Sequence, residues 1–535
     1  MKKKCKLRKL HWVKLYIYPV LAQLAYHLGV PFINLGHSFL DKYTLIAQSK
    51  IIGRTLKKVS YKKSKEVYFL TMLGGHVHNL SVEMVLAWGL KDKGYKPVFI
   101  IDDATYPIAE DKFYGLESSW NRSSCHNYIF GKKMILNAGF ELKTVSEIID
   151  IDKAYDLAEY EDLIFATLCK HYKSGVIDES FADLAVKTKM VETAVNYSIQ
   201  IGEYLVQQRP AFVVMSHGIY STWGPQYNIL RGNGIDVLIY SKGKEKGTQR
   251  FNWNQTTWNI DRLWAEYSTK DLTTEEENKI NSYIEDRIEQ KNENIKFNLG
   301  GLEEKENLSR KLGIDLSKKI YIIFTNNLWD AASVNKDIAF SSQVEWVFET
   351  IEWFRRYPEK QLIIRIHPAE YIRGTNVPFK SIITEKFRDN LPSNVKIIDP
   401  AFEVNSWSLI DLADVGLVYT TTVGFELPLR GKPSLVLGNT HYRGKGFTID
   451  IESKEAYFQL LSEGSMMLDV NQAERLAKKY CFLLFKKYPV PFQVFNERKW
   501  TDVNSFSFNS GKDLNNKDYF EELIRRIVSK TSIEV

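Results

Sequence analysis

The sequence predicts an α/β protein of two doubly wound parallel-sheet domains facing a central cleft, on three observations. The chain has 535 residues, too many for one hydrophobic core and suited to about two to three domains. Short apolar, β-branched runs alternate with longer helical patterns, the rhythm of parallel strands joined by crossover helices. Several of those runs end in glycine-containing or polar turns that open a helix, and ligands of open parallel sheets sit there. A hydrophobic content of 44% with 13% aromatic residues marks an ordinary folded chain.

The first 60 residues read as a basic and then apolar arm. Residues 1–14 hold seven Lys/Arg and no acid, which accounts for the whole net charge of +7. With the remainder neutral, a general nucleic-acid surface is excluded and no nucleic-acid partner is expected. Residues 15–40 lack Asp, Glu, Lys and Arg but contain Pro19, Gly29, Pro31 and Gly36, poor choices for a hydrocarbon span. No small-residue cleavage site marks a signal peptide. Basic residues beside Trp12, Tyr16, Tyr18 and Tyr26 suit contact with an anionic membrane surface, so a cytoplasmic protein peripheral to the inner membrane face is expected. Cys5, Cys125, Cys169 and Cys481 are far apart, as in a reducing compartment without structural zinc.

Residues 61–260 read as the first domain. A buried strand over 67–72 runs into Gly74-Gly75-His76-Val77-His78, with a helix over 80–91 and a strand over 97–102. Residues 106–151 give no clear pattern. Helices are expected over 154–172 and 180–208, then a strand over 212–215 ending in Ser216-His217-Gly218, a helix over 224–231 and a strand over 237–240. His217, His76 and His78 stand after strand ends and are the candidates for a general base. The stretch 242–250 is basic and glycine-containing, expected as a flexible loop. Residues 261–317 read as a helical connector, with a solvated, highly charged helix over 275–291.

Residues 318–487 read as the second domain and 488–535 as a tail. A strand over 319–324 precedes a helix over 341–356 whose apolar residues recur at helical spacing. The strand over 362–366 is stopped by Pro368, which places His367 and Glu370 at its carboxyl end. Residues 415–419 then read as strand, Thr420-Thr421-Thr422 as turn, 423–430 as helix and 434–437 as strand. Threonines at a helix start leave backbone N–H groups and a positive dipole end facing the turn, a ready anion site. His367 offers a donor to phosphate. Glu426 offers a carboxylate to vicinal hydroxyls. Arg365, Glu370, Arg443 and Lys445 are further candidates, the last two as a basic pair for phosphate or a sugar carboxylate.

Ile-His-Pro, Thr-Thr-Val-Gly-Phe-Glu and Gly-Lys-Pro together resemble the second half of GT-B glycosyltransferases, in particular bacterial capsule-polysaccharide transferases of the Kdo- and sialic-acid-transferring kind. The turn is all threonine here, where those enzymes are serine-rich. The resemblance implies two Rossmann-like domains, with a C-terminal tail crossing back to the first. It implies a nucleotide-sugar site made by His367, Pro368, Thr420, Thr421, Thr422, Gly424 and Glu426, and an acceptor-side turn at Gly74-Gly75-His76. The function expected is transfer of a sugar from a nucleotide-activated donor, a CMP-linked acidic sugar being one candidate, to a surface polysaccharide or glycolipid. No metal and no cofactor beyond the nucleotide-sugar substrate are expected. The alternatives are a nucleotide-sugar epimerase, a glycerophosphate-type polymerase, or a non-catalytic capsule-assembly or glycan-binding protein.

Overall fold

A computed structural model describes residues 39–56, 65–108, 117–255, 259–291, 300–330, 334–464, 468–497 and 502–533. Nearly all of the basic arm, and with it the expected membrane contact, lies outside the described residues. Among the described residues no helix is long and apolar enough to cross a membrane. The chain forms two compact units. The first takes in the described residues up to Thr167, Ala182–Thr257 and Pro489–Val535; the second takes in Leu168–Phe181 and Trp258–Tyr488.

The first unit is built on β1 (Glu66–Thr71), β2 (Lys96–Ile101), β3 (Glu141–Thr144), β4 (Phe212–Ser216), β5 (Val237–Lys242) and β6 (Thr248–Trp253). In space the order is β6-β5-β4-β1-β2-β3, with the first five strands parallel and β6 antiparallel. The winding direction reverses between β1 and β4, so the crevice beyond their carboxyl ends is this sheet's switch point. One face packs Val67, Phe69, Phe212, Val214 and Leu238 against the helix Val77–Asp92 and the C-terminal helix Asp518–Val528.

One expectation fails in this unit, and one stretch without a clear pattern resolves into elements. The stretch 242–250 is not a flexible loop but the turn and arms of the β5–β6 hairpin, where Gly247 takes φ +70°. Residues 106–151 contain the helix Glu117–Asn137 and strand β3. That strand lies at the sheet edge and is half exposed, so Glu141-Leu-Lys-Thr carries no buried apolar run to read.

The second sheet comprises β7 (Ile320–Phe324), β8 (Gln361–Arg365), β9 (Val395–Ile398), β10 (Val415–Val418), β11 (Ser434–Val436) and β12 (Ile449–Asp450), in the order β12-β11-β10-β7-β8-β9. All of its pairings are parallel. Ile320, Ile322 and Phe324 face one core while Tyr321 and Ile323 face the other, so both faces are covered, as a parallel sheet requires. Both sheets therefore have the doubly wound, Rossmann-like order that the sequence predicts.

The charged helix expected over 275–291 is present and largely solvated, with Ile280 its one buried residue. This helix, Thr274–Ile288, opens with a capping box between Thr273 and Glu276 and belongs to the second unit. After β12, strand β13 (Val490–Pro491) pairs antiparallel with β6, placing the C-terminal segment on the first sheet.

Candidate functional site

The register of the second sheet sets the site. Val418, Phe324 and Arg365 are Cα partners across β10, β7 and β8. Thr420, Asn326 and His367 each follow that row by two residues, at the carboxyl edge where the winding reverses between β7 and β10. Strands lie about 4.8 Å apart, so the outer two stand within roughly 10 Å of each other. Backbone contacts tie them together. The His367 amide donates to Thr325 Oγ1 and the Thr420 amide donates to Asn326 Oδ1, both at 3.0 Å. The imidazole and the threonine turn thus meet on one edge, bridged by the residues after β7.

His367 Nδ1 accepts from the Ala369 amide at 3.0 Å. Burial, opposed by Asp330 and reinforced by Arg365 and Arg373, lowers its pKa to about 4. The ring is therefore neutral at physiological pH and carries its proton on Nε2, as a hydrogen-bond donor. Pro368 takes helical φ and ψ and opens the short helix Ala369–Arg373, which supplies that Ala369 amide.

The threonine turn departs from expectation in its local form. The helix is one turn only, Val423–Glu426, followed by a 3-10 segment at Pro428–Arg430 in place of a continuous helix over 423–430. Thr422 stands at the N-cap with helical φ −61° and makes no side-chain capping bond. A four-residue helix has almost no macrodipole, so the anion-binding capacity rests on backbone N–H groups and side chains. Thr420 and Thr421 are buried, and Tyr442 donates its hydroxyl to the Thr421 carbonyl at 2.7 Å. A Cβ on Gly424 would come within 2.2 Å of that same hydroxyl. A side chain at position 424 has no room beneath Tyr442.

Four further candidates are already engaged in the fold. Glu426, 4% exposed, accepts from Arg287 Nη2 at 2.6 Å and Nε at 3.0 Å, an ion pair reaching in from the helix Thr274–Ile288. Arg287 also reaches Thr422 Oγ1 at 3.4 Å. Glu370 caps the amide of Phe379 at 3.1 Å, and burial lifts its carboxyl to about 7. Arg443 donates to the carbonyls of Val436 and Ile451 and to Glu452, fastening β11 to β12. Lys445 pairs with Asp261. Glu426, expected to face ribose hydroxyls, and Glu370, Arg443 and Lys445, expected near the ligand, thus each have a partner within the protein. Arg365 is buried beside the site: Nη1 donates to the Asp399 carbonyl at 2.7 Å, Nε and Nη2 have no partner, and burial pulls it down to about 10.

In the first unit the three histidines separate. His76 stands at the N-cap of the helix Val77–Asp92, just after β1, and His217 stands just after β4, so both border that sheet's switch point. His217 has φ +56° and Gly218 has φ +72°, a left-handed turn uncommon for residues other than glycine. His78 is 5% exposed, within hydrogen-bond reach of Gln249 Nε2 at 3.2 Å and 3.5 Å from Glu497, and burial lowers its pKa. It sits inside the packing, which corrects its candidacy as a base. Asp102 caps Thr105 and Tyr106, and Asp103 accepts from Thr105 and Ser146.

The sequence did not single out Thr325, Asn326 or Arg287. Thr325-Asn326 directly follows an apolar strand, the signal that could have marked it. Arg287 lies in a charged helix and carries no signal of its own. Replacing Asn326 with Ala removes the acceptor of the Thr420 amide, a loss of roughly 1–3 kcal/mol for a buried donor. Hydrogen exchange at Thr420 is expected to accelerate by about 10–100-fold, with exchange in the first unit unchanged.

Both pieces of the site lie within one matched region. Residues 249–480 match the capsule polysaccharide biosynthesis protein family. The match spans under half of the chain and bears out the resemblance to capsule-biosynthesis transferases carried by His367-Pro368 and the threonine turn. No curated protein is similar in sequence. Among solved structures, a KpsC β-Kdo 2,4-transferase from Thermosulfurimonas dismutans is 15% identical, with 52% of this chain and 81% of that one covered and a TM-score of 0.35. A UDP-GlcNAc 2-epimerase from Neisseria meningitidis is 13% identical, with 77% and 94% covered and a TM-score of 0.24. At such TM-scores neither likeness bears on function.

Proposed function

We propose that this protein is a glycosyltransferase of capsule synthesis that moves a sugar from a nucleotide-activated donor to a capsular polysaccharide or glycolipid acceptor. The observation that carries the reading is the row of Thr420, Asn326 and His367 at the carboxyl edge of the second sheet. Donor phosphate is read as held there by the His367 Nε2–H and by turn N–H groups. A charge-assisted hydrogen bond of this kind contributes roughly 1.5–3 kcal/mol to holding a leaving phosphate. The unpartnered nitrogens of buried Arg365 favour an acidic donor, such as a CMP-linked sugar, because a guanidinium matches a carboxylate or phosphate. His217 and His76, at the switch point of the first sheet, are read as the groups that meet the acceptor hydroxyl, with His217 as base.

A thermal-shift panel of CMP, CDP, UDP and GDP tests the donor site, because a ligand of the native state raises Tm. One nucleotide is expected to raise Tm for the wild type. His367→Ala is expected to weaken that nucleotide by roughly 10–100-fold, with the ligand-free Tm nearly unchanged. Equal affinity in the two proteins would remove His367 from the site. An epimerase would instead convert a nucleotide-sugar with no acceptor present.

A further inference from the structure

The basic stretch that opens the sequence has no part in the transfer reaction as described, and the chain leads from it into the helix Phe39–Thr55. That helix buries Leu45 and Ile52 completely in the core of the first unit. The helix Glu117–Asn137 lies beside it. Lys42 Nζ stands 5.2 Å from the centroid of the Phe130 ring. Further along, a Cβ on Gly53 would meet the Ala138 carbonyl oxygen at 2.5 Å. The two contacts advance along both segments together, so the helices run side by side in the same direction.

Their outer faces combine cations with aliphatic side chains. On the first helix Ala47, Lys50, Ile51 and Arg54 are exposed, and their three- and four-residue spacing puts them on one face. On the second, Lys132 and Leu136 are exposed one turn apart, with Lys133 half-exposed beside them. Ile51 is 51% and Leu136 49% exposed. A single exposed aliphatic residue is ordinary. Here each stands next to two lysines or arginines. Among the described residues no exposed position of either helix holds Asp or Glu, and Asp41 in the first turn is half-buried.

We propose that these two outer faces dock on the surface of an anionic lipid bilayer. Charge complementarity selects an anionic partner, since cations without acids repel a basic one. The aliphatic residues select a bilayer, which offers headgroup phosphates to Lys and Arg and an acyl boundary to Ile51 and Leu136. The sequence upstream has the same chemistry, with seven Lys/Arg in residues 1–14 followed by Trp12, Tyr16, Tyr18 and Tyr26 within its first 26 residues. It reaches Phe39 at the very start of this helix, so two stretches suited to one surface adjoin along the chain. Each cation near an anionic surface raises partitioning about fivefold, and each large aliphatic side chain buried there about tenfold. Contributions of that size hold a protein in place only when several act together.

Co-sedimentation of the full chain with vesicles is the test. The wild type is expected to bind phosphatidylcholine vesicles containing about one-third phosphatidylglycerol, to bind pure phosphatidylcholine weakly, and to lose affinity as salt rises. Lys50→Glu/Arg54→Glu is expected to weaken binding by about 25-fold or more, and Ile51→Ser/Leu136→Ser by roughly 10–100-fold. All four side chains are exposed, so Tm is expected to stay near that of the wild type. Lys386→Glu/Lys396→Glu makes an equal change of charge at exposed positions of the second unit and is expected to leave binding within about twofold. Ile51→Cys in a chain with Cys5→Ser and Cys125→Ser can carry a bimane label, because Cys169 and Cys481 are buried. Its emission is expected to move to the blue when the anionic vesicles are added. No binding by the wild type, unchanged binding in either double variant of the two faces, or an equal loss in the second-unit control overturns the proposal. So does a label already blue-shifted without vesicles, which would show this face covered by the upstream sequence or by a second copy. None of these measurements involves a nucleotide or a sugar, so the transferase reading stands or falls separately.

Discussion

Gly75→Ala is expected to cost the first unit about 3 kcal/mol or more and to lower its Tm by roughly 6–12 °C. A Cβ at this position would lie 2.0 Å from the Asn127 carbonyl oxygen and 2.7 Å from the Gly131 amide nitrogen. Both obstacles are backbone, so no side chain can swing aside. Either the turn after β1 or the helix Glu117–Asn137 has to move, and His76 follows the turn. Gly139→Ala is the control. Gly139 has φ +74° but nothing within 4 Å of the added Cβ, so only the conformational penalty of about 1 kcal/mol applies. Calorimetry on the two variants separates crowding from backbone strain. Equal losses would show that the Gly75 contact is relieved without cost.

Arg287→Ala is expected to destabilise the second unit by about 3–5 kcal/mol, because it leaves the Glu426 carboxylate buried without a counter-charge. The side chains are 16% and 6% exposed, so solvent screens the pair little. Arg287 also lies over the Phe485 ring, at 5.7 Å, and adds a packing loss. Removing both charges in Arg287→Met/Glu426→Leu is expected to recover most of the stability in denaturant unfolding. Glu426→Gln discriminates between the two roles offered for this carboxylate. If it serves the ion pair, stability falls while affinity for the nucleotide found in the thermal-shift panel stays within about twofold. A fall of about tenfold or more in that affinity would return Glu426 to the ligand.

Whether a residue's surroundings are local decided how much of this could be read in advance. Strands β7, β8 and β10 were legible because each is a run such as Leu362-Ile-Ile, buried along its length, whereas the two half-buried residues of β12, Ile449–Asp450, carry no such run and were not read. His367 was legible because Pro368 fixes the strand end. The pairing of Glu426 with Arg287 spans 139 positions in sequence, and neither residue carries a mark of the other. The all-threonine turn misled in its form. Threonine favours the N-cap, but Gly424 packed under Tyr442 and the 3-10 segment from Pro428 shorten the helix to one turn.

The division of the chain between the units has a consequence for its synthesis. Every residue of the second unit has been joined by the time Tyr488 is added, whereas the first unit still lacks Val490–Pro491 and the helix Asp518–Val528, whose Phe520, Leu523, Ile524 and Ile527 fill its core. On the ribosome the later-encoded unit is thus the first to hold all its parts, and the earlier-encoded one waits for the residues beyond Tyr488.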